Sequence, residues 1–401
     1  MGVALPLVPA SVAASGDAVA MVTAPTRSLI SPAGSNLPED LLLEVIDKFR
    51  AGQTHQALYL VDSLIKEQPT YRLAHLLRGD ILSAQAGLPT VVDASAKDTN
   101  FNHLLAEARQ RWQGHAFAPG DRLPAPLLKT GTTHPTIVVV DLSLSRLFLF
   151  DNRGPRPRLI DDYYVSSGKN GFGKERKGDK KTPLGVYFVT QRLPGEALPD
   201  RYGPVAFPVD YPNDWDRRLG RTGSGIWVHG VASANYSRPP ADSDGCVALV
   251  NSELSVIAPL IKPGVTPVLI GHDIAWLTPA ESDAQATNMS QALERWRRDW
   301  ESGDTDEYLS HYAYDFVGRG MDKAAWSAYK RRVALGKQFV RVALNDVSVY
   351  GHPNEKGLVV VTFEQRYRSN NFNATSRKRQ YWRVNETGRW QIVSESAAGA
   401  G

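Results

Sequence analysis

The chain has 401 residues, enough for two or three domains of ~100–200 residues each. Hydrophobic residues make up 42% and charged residues 22%, which excludes a disordered or collagen-like chain. With 46 basic and 42 acidic side chains, the net charge of +4 is too small to mark a nucleic-acid surface, and no run reaches the ~18 uncharged apolar residues of a membrane span.

Residues 1–36 open on an Ala- and Val-rich stretch with no Lys or Arg before Arg27. It has the small, apolar character of a secretory signal without the basic n-region, so it reads as a degraded export signal or a flexible tail. Residues 37–115 follow helical period. Leu41, Leu42, Val45, Ile46 and Phe49 share one face, and Pro38 stands where a missing N–H costs nothing. Further helices are expected over about His55 to Glu67, over Tyr71 to Ala86, and around Phe101 to Trp112. The segment resembles a tetratricopeptide-type helix pair but covers barely one repeat, so a packing or homodimerisation module is expected instead of an array.

After a Pro-rich loop over Gly114 to Thr133, the period becomes that of strands. Thr136 to Leu142 and Arg146 to Phe150 predict a hairpin. Tyr163–Ser167, Gly185–Thr190, Ile226–His229 and Thr266–Ile270 extend this into a mostly antiparallel β domain over residues 134–273. From Met289 the sequence predicts helices, including Asp306 to Phe316 and Lys323 to Leu335. Long strands follow, making an α+β unit over residues 288–397.

The only cysteine is Cys246, so no intramolecular disulfide or multi-thiolate zinc site can form. A lone cysteine is ordinarily a small buried hydrophobe. Its surroundings point elsewhere. His229 ends an apolar strand and is followed by Gly230; Cys246 comes seventeen residues later in a Ser- and Asp-rich turn. A thiol with an ordinary pKa of ~8.5 is mostly protonated at neutral pH, and a neighbouring imidazole activates it by taking the proton. Gly230 can present its carbonyl to the ring, and the Gly245–Cys246 turn can present N–H groups to an oxyanion. A metal site from His229, Cys246 and His272 is disfavoured, and no cofactor motif is present.

The wider pattern is more specific. Gly168, Lys169, Gly178, Asp179, Thr182, Pro183, Gly185 and Tyr187 precede His229, Gly230, Ser243, Gly245 and Cys246. In this order and spacing they resemble the YkuD-type L,D-transpeptidase catalytic domain. The resemblance implies a β-sandwich fold, with Cys246 as nucleophile, His229 as base and the Gly230 carbonyl as third member. It implies acyl transfer on peptidoglycan stem peptides, with loss of a terminal D-Ala and no cofactor, and sensitivity to carbapenems. The commoner family pattern has a histidine where this chain has Asp244. Asp244 is either a turn former that points away or a partner for a cationic amine of the substrate. The relaxed Ser-x-Gly-Cys form resembles a subgroup with L,D-carboxypeptidases that control helical cell shape and enzymes acting on lipoprotein links. Those carboxypeptidases also carry N-terminal helices and a C-terminal cone similar to nuclear transport factor two. The residues from Trp296 to Trp326, with the strands after them, resemble that cone.

The resulting expectation is a multidomain chain: an all-α N-terminal module, a central mostly-β YkuD-type sandwich and a C-terminal α+β cone. The expected activity is L,D-transpeptidation in the periplasm or cell envelope. The alternatives are L,D-carboxypeptidation and a catalytically silent wall-binding scaffold. Lys169 and Lys180, from a basic loop with Lys174, Arg176, Lys177 and Lys181, are candidate contacts for stem-peptide carboxylates, as is Arg238, in the Arg-Pro-Pro segment expected to stiffen the loop after His229.

Overall fold

The computed structural model of the chain describes residues 38–89 and 99–398. The expected export signal therefore lies outside the described residues. The chain forms two compact units: the residues up to Ala118 with Val231–Pro240, and Pro119–Gly230 with Ala241 onward.

The first unit is helical, with helices Pro38–Arg50, Thr54–Glu67, Arg72–Gln85 and Thr99–His115. The period read from sequence is the buried stripe: Leu42, Val45, Ala57, Val61, Leu64, Leu73, Ala74 and Ile81 are all at most 1% exposed. Short connections keep the first three helices adjacent.

The second unit contains both β-rich regions. Its first half stacks a five-stranded sheet, in the order Arg158–Tyr164, Arg146–Asp151, Thr136–Asp141, Pro267–Gly271, Gly185–Phe188, against a four-stranded one. The latter runs Val247–Ala248, Trp227–His229, Val205–Pro208, Leu193–Pro194. Val138, Val140, Leu147 and Leu149 of one sheet share a core with Phe207, Val228 and Val247 of the other, which is the sandwich arrangement. The expected hairpin pairs Thr136 with Asp151 through to Asp141 with Arg146. As expected, most strand pairs in these sheets are antiparallel, but two are parallel. Pro267–Gly271 runs parallel to Thr136–Asp141, and Trp227–His229 runs parallel to Val247–Ala248. Parallel pairs need crossover connections; between Trp227–His229 and Val247–Ala248 the crossover is residues 230–246.

The second half packs helices Pro279–Ser302, Thr305–Ser310 and Lys323–Ala334 on a seven-stranded sheet. Trp296, Trp326, Trp382, Phe316 and Ile392 fill the core between them. The cone has a concavity of about 860 Å³ lined by Trp300, Tyr308, Trp326 and Lys330, among others. Three elements differ from the sequence expectation. The predicted helix over Asp306 to Phe316 ends at Ser310, and Tyr312–Gly318 is a strand beside Trp390–Ala397. The first helix starts at Pro279, ten residues before Met289, set by a capping box between Thr278 and Glu281. Leu127–Lys129, in the supposed loop, pairs with the strand Val340–Gly351 as the seventh strand of the cone sheet.

That strand and several polar contacts join the two halves. Arg379 Nη1 donates to Asp210 Oδ2 at 2.6 Å, Trp215 Nε1 to Glu355 Oε2 at 3.1 Å, and Arg218 Nη2 to Asp315 Oδ2 at 2.5 Å. The Asp346 carboxylate accepts from the Thr133 N–H at 3.1 Å and the Thr132 hydroxyl at 3.0 Å.

Candidate active site

The parallel pairing of Val228 with Val247 and His229 with Ala248 sets the geometry. Cys246 immediately precedes the paired residue Val247, so the ladder brings the segment that carries the thiol beside the strand that ends in His229. The Leu249 N–H donates to the His229 carbonyl at 2.9 Å and fixes the pairing.

His229 is 3% exposed, and its Nδ1 lies 2.6 Å from the Gly230 carbonyl oxygen. A carbonyl cannot donate, so Nδ1 must carry the proton. The lone pair of the neutral ring is therefore on Nε2. Gly230 is required there: a Cβ on it would come within 2.1 Å of Asn251 Oδ1. Its N–H donates to the Tyr202 carbonyl at 2.9 Å. The Tyr202 ring stands edge-on to the imidazole at 5.0 Å and packs on Trp227 at 4.7 Å. Sequence reasoning missed Tyr202. It stands far from His229 in the chain and belongs to no local motif.

Cys246 is 9% exposed, and its S–H donates to the Gly225 carbonyl at 3.3 Å. Ser243 locks the turn before it. Its hydroxyl donates to the Cys246 carbonyl at 2.6 Å and accepts the Gly245 N–H at 3.1 Å. The Gly245 N–H, expected to face an oxyanion, is thus engaged within the turn. Gly245 has φ +120°, and a Cβ on it would meet the Lys181 carbonyl oxygen at 2.7 Å, so no other residue fits without strain.

The Gly-Asp-x-x-Thr-Pro segment frames the other side. Asp179 accepts from the N–H groups of Glu175, Arg176 and Lys181 at 2.8, 2.9 and 3.2 Å, and from Lys174 Nζ at 2.6 Å. Burial works against its ionisation, but the Lys174 ammonium and the three N–H groups outweigh it. They hold the carboxyl well below the usual carboxylate range. Lys174 is 3% exposed, so its charge serves this loop. Lys180 stays exposed, at φ +58°. Lys169 forms an ion pair with Asp244 at 2.9 Å, so the Asp244 carboxylate faces a lysine of its own chain. Arg238 falls in the first unit, with Val231–Pro240. His272 is half-buried and stacks on Phe172 at 4.1 Å.

Among the described residues, Asp299, Glu307 and His311 form one group of possible metal ligands, with ligand atoms within 4.8 Å of one another. His311 Nε2 is already hydrogen-bonded to Asp299 Oδ2 at 2.6 Å. These residues belong to the cone and not to the Cys246 site.

Comparison with known proteins identifies two domains in the chain. Residues 135–270 match the L,D-transpeptidase catalytic domain (YkuD), and residues 288–396 match the Cds6 C-terminal NTF2-like domain. The chain is 30% identical over 112 residues to YafK of Escherichia coli (strain K12). That match covers 28% of this chain and spans 41% of YafK. The structure of Bd1075 of Bdellovibrio bacteriovorus superposes with a TM-score of 0.62 at 29% identity, covering 69% of this chain and 98% of that one. The helical cell shape determining protein Pgp2 of Campylobacter jejuni gives 0.56 at 23% identity, covering 72% and 99%. At that identity, the likeness to Pgp2 is one of fold.

Proposed function

We propose that this chain, which carries an L,D-transpeptidase catalytic domain followed by an NTF2-like domain, is a cell-envelope cysteine acyltransferase that forms a thioester on Cys246 with peptidoglycan stem tetrapeptides. The observation that carries the reading is the hydrogen bond between His229 Nδ1 and the Gly230 carbonyl, on a strand whose parallel partner begins beside Cys246. It leaves Nε2 as the ring's proton acceptor, as the reading requires.

His229 Nε2 takes the thiol proton, and the thiolate attacks the carbonyl carbon of the bond to the terminal D-residue. The tetrahedral adduct collapses as the imidazolium returns its proton to the departing amine. D-Ala leaves and the thioester remains. An acceptor amine then attacks the thioester, losing its proton to His229 and restoring the thiol.

Water in place of the amine gives L,D-carboxypeptidation, the second reading. The N-terminal helices and C-terminal cone favour it, being the layout of the helical-cell-shape carboxypeptidases that the sequence resembles, and the fold likeness to the helical cell shape determining protein Pgp2 covers 72% of this chain. A barrier difference of only ~1.4 kcal/mol partitions the thioester tenfold between the two acceptors. Peptidoglycan lies outside the cytoplasmic membrane, so the periplasm or cell envelope is the working compartment. Among the described residues no helix is long and apolar enough to cross a membrane.

Incubation with disaccharide tetrapeptides, followed by mass spectrometry, tests the proposal. New cross-links between the third residues of two stems support transfer. Tripeptides without cross-links support hydrolysis. No product beyond that seen with Cys246→Ala overturns both and leaves the catalytically silent wall-binding scaffold.

A further inference from the structure

The ten residues Val231–Pro240, which join His229–Gly230 to the strand before Cys246, pack with the N-terminal helices as one compact unit. Connecting loops ordinarily run over the surface, because a buried loop must find partners for its polar groups. This one enters a buried polar network. The Ser237 hydroxyl donates to Glu107 Oε1 at 2.6 Å. Glu107 is 2% exposed and also accepts from Arg111 Nε at 3.0 Å. Arg111, itself 0% exposed, reaches Glu39 Oε1 with Nη1 at 2.9 Å. Beside this chain of bonds, the Tyr236 ring packs on Tyr71 at 4.2 Å, and the Arg111 guanidinium lies 5.6 Å from the Tyr71 ring.

Glu107 of helix Thr99–His115 and Tyr71, the residue before helix Arg72–Gln85, thus meet two neighbouring loop residues, and Glu39 of helix Pro38–Arg50 joins them through Arg111. Burying two carboxylates against one guanidinium is costly. A core made only of helices would be served better by apolar side chains. The Ser237 bond gives the network a specific use, since it satisfies Glu107 only when the loop is in one conformation.

We propose that the helical module is a clamp for the loop that joins the base to the nucleophile, with Tyr236 and Ser237 as positioning residues. The inference rests on the acyltransferase reading for its kinetic consequence only. The dyad itself stands on the parallel ladder of the catalytic domain. Releasing the clamp therefore leaves thiol activation intact while loosening the segment that carries Arg238, the candidate contact for a stem-peptide carboxylate.

The test compares full-length protein with Ser237→Ala, Glu107→Gln, Tyr236→Ala and the conservative Tyr236→Phe. Three readouts are taken: hydrogen exchange of residues 231–240, kcat and KM on a disaccharide tetrapeptide, and the pH profile of Cys246 alkylation by iodoacetamide. Loss of one hydrogen bond to a charged group supports an expected rise in exchange of about tenfold or more in Ser237→Ala and Glu107→Gln. A matching fall in kcat/KM is expected, with the alkylation midpoint unmoved. Tyr236→Phe should behave like the parent and Tyr236→Ala like the released loop. Exchange that stays at the parent level in all variants overturns the clamp. So does an unchanged kcat/KM beside faster exchange. A parent without turnover counts against the acyltransferase reading alone, because exchange still reports the clamp.

Discussion

The Thr182 hydroxyl donates to the Gly245 carbonyl at 3.1 Å and accepts the Gly168 N–H at 2.8 Å. One buried side chain thereby ties the Gly-Lys strand end and the Gly-Asp-x-x-Thr-Pro loop to the residue before the thiol. Thr182→Val keeps the shape and removes both bonds. Leaving a buried N–H and carbonyl unpaired costs about 1–3 kcal/mol each. Thermal unfolding should show a loss in this range, and Thr182→Ser should recover most of it.

Gly245→Ala is expected to be among the most damaging small substitutions in the chain. The backbone there is at φ +120°, and the new methyl group would press on the Lys181 carbonyl. Strain and overpacking together cost about 2–5 kcal/mol. Gly178→Ala is the control: φ is +80°, but nothing lies within 4 Å of the new Cβ, so backbone strain of about 1–2 kcal/mol is the only cost. Denaturant midpoints of the two variants measure the difference.

Much of this site is legible from sequence, because its parts are local. The apolar strand ending in His229, the Gly230 beside it and the glycine before Cys246 each follow from neighbouring residues. What escapes the sequence depends on distant partners. Leu127–Lys129 is a strand only because Val340–Gly351 offers an edge. Pro279–Asn288 has no strong apolar stripe and is helical through its cap and its continuity with Trp296. Tyr312–Gly318 is a strand because it pairs with Trp390–Ala397. The Lys169–Asp244 pair and the grip of Glu107 on Ser237 join residues that no motif connects.

His352 supplies a pH dependence. Burial, aided by the Arg221 charge, pushes its imidazole down to about 4, against the pull of a hydrogen bond to the Leu184 backbone. The unfolded chain takes up this proton near pH 6.5, so it binds more protons than the folded chain between about pH 6.5 and 4. Stability from this residue is full above pH 6.5 and falls as the pH drops through that window, by about 1–3 kcal/mol in all. His352→Gln should flatten the unfolding free energy across pH 4–6.5 without changing its slope above pH 7.

Arg379 holds the two halves of the second unit together. It pairs with Asp210 at 2.6 Å, and its guanidinium lies 4.4 Å from the Phe188 ring. Arg379→Ala strands the Asp210 carboxylate in a mostly buried place, at a cost of about 3–5 kcal/mol. Adding Asp210→Asn removes the unpaired charge and should recover part of that loss. The double-mutant cycle, read by chemical denaturation, gives the coupling directly.

The sharpest test is the mass of the intact protein after brief reaction with a disaccharide tetrapeptide and an acid quench. The expected result is an adduct equal to the substrate less one D-Ala, mapped to Cys246 and reversed by hydroxylamine. Cys246→Ala should give no adduct, and His229→Gln should give one only far more slowly. Release of D-Ala that proceeds unchanged in Cys246→Ala, with no adduct on the parent, contradicts thioester chemistry at this cysteine.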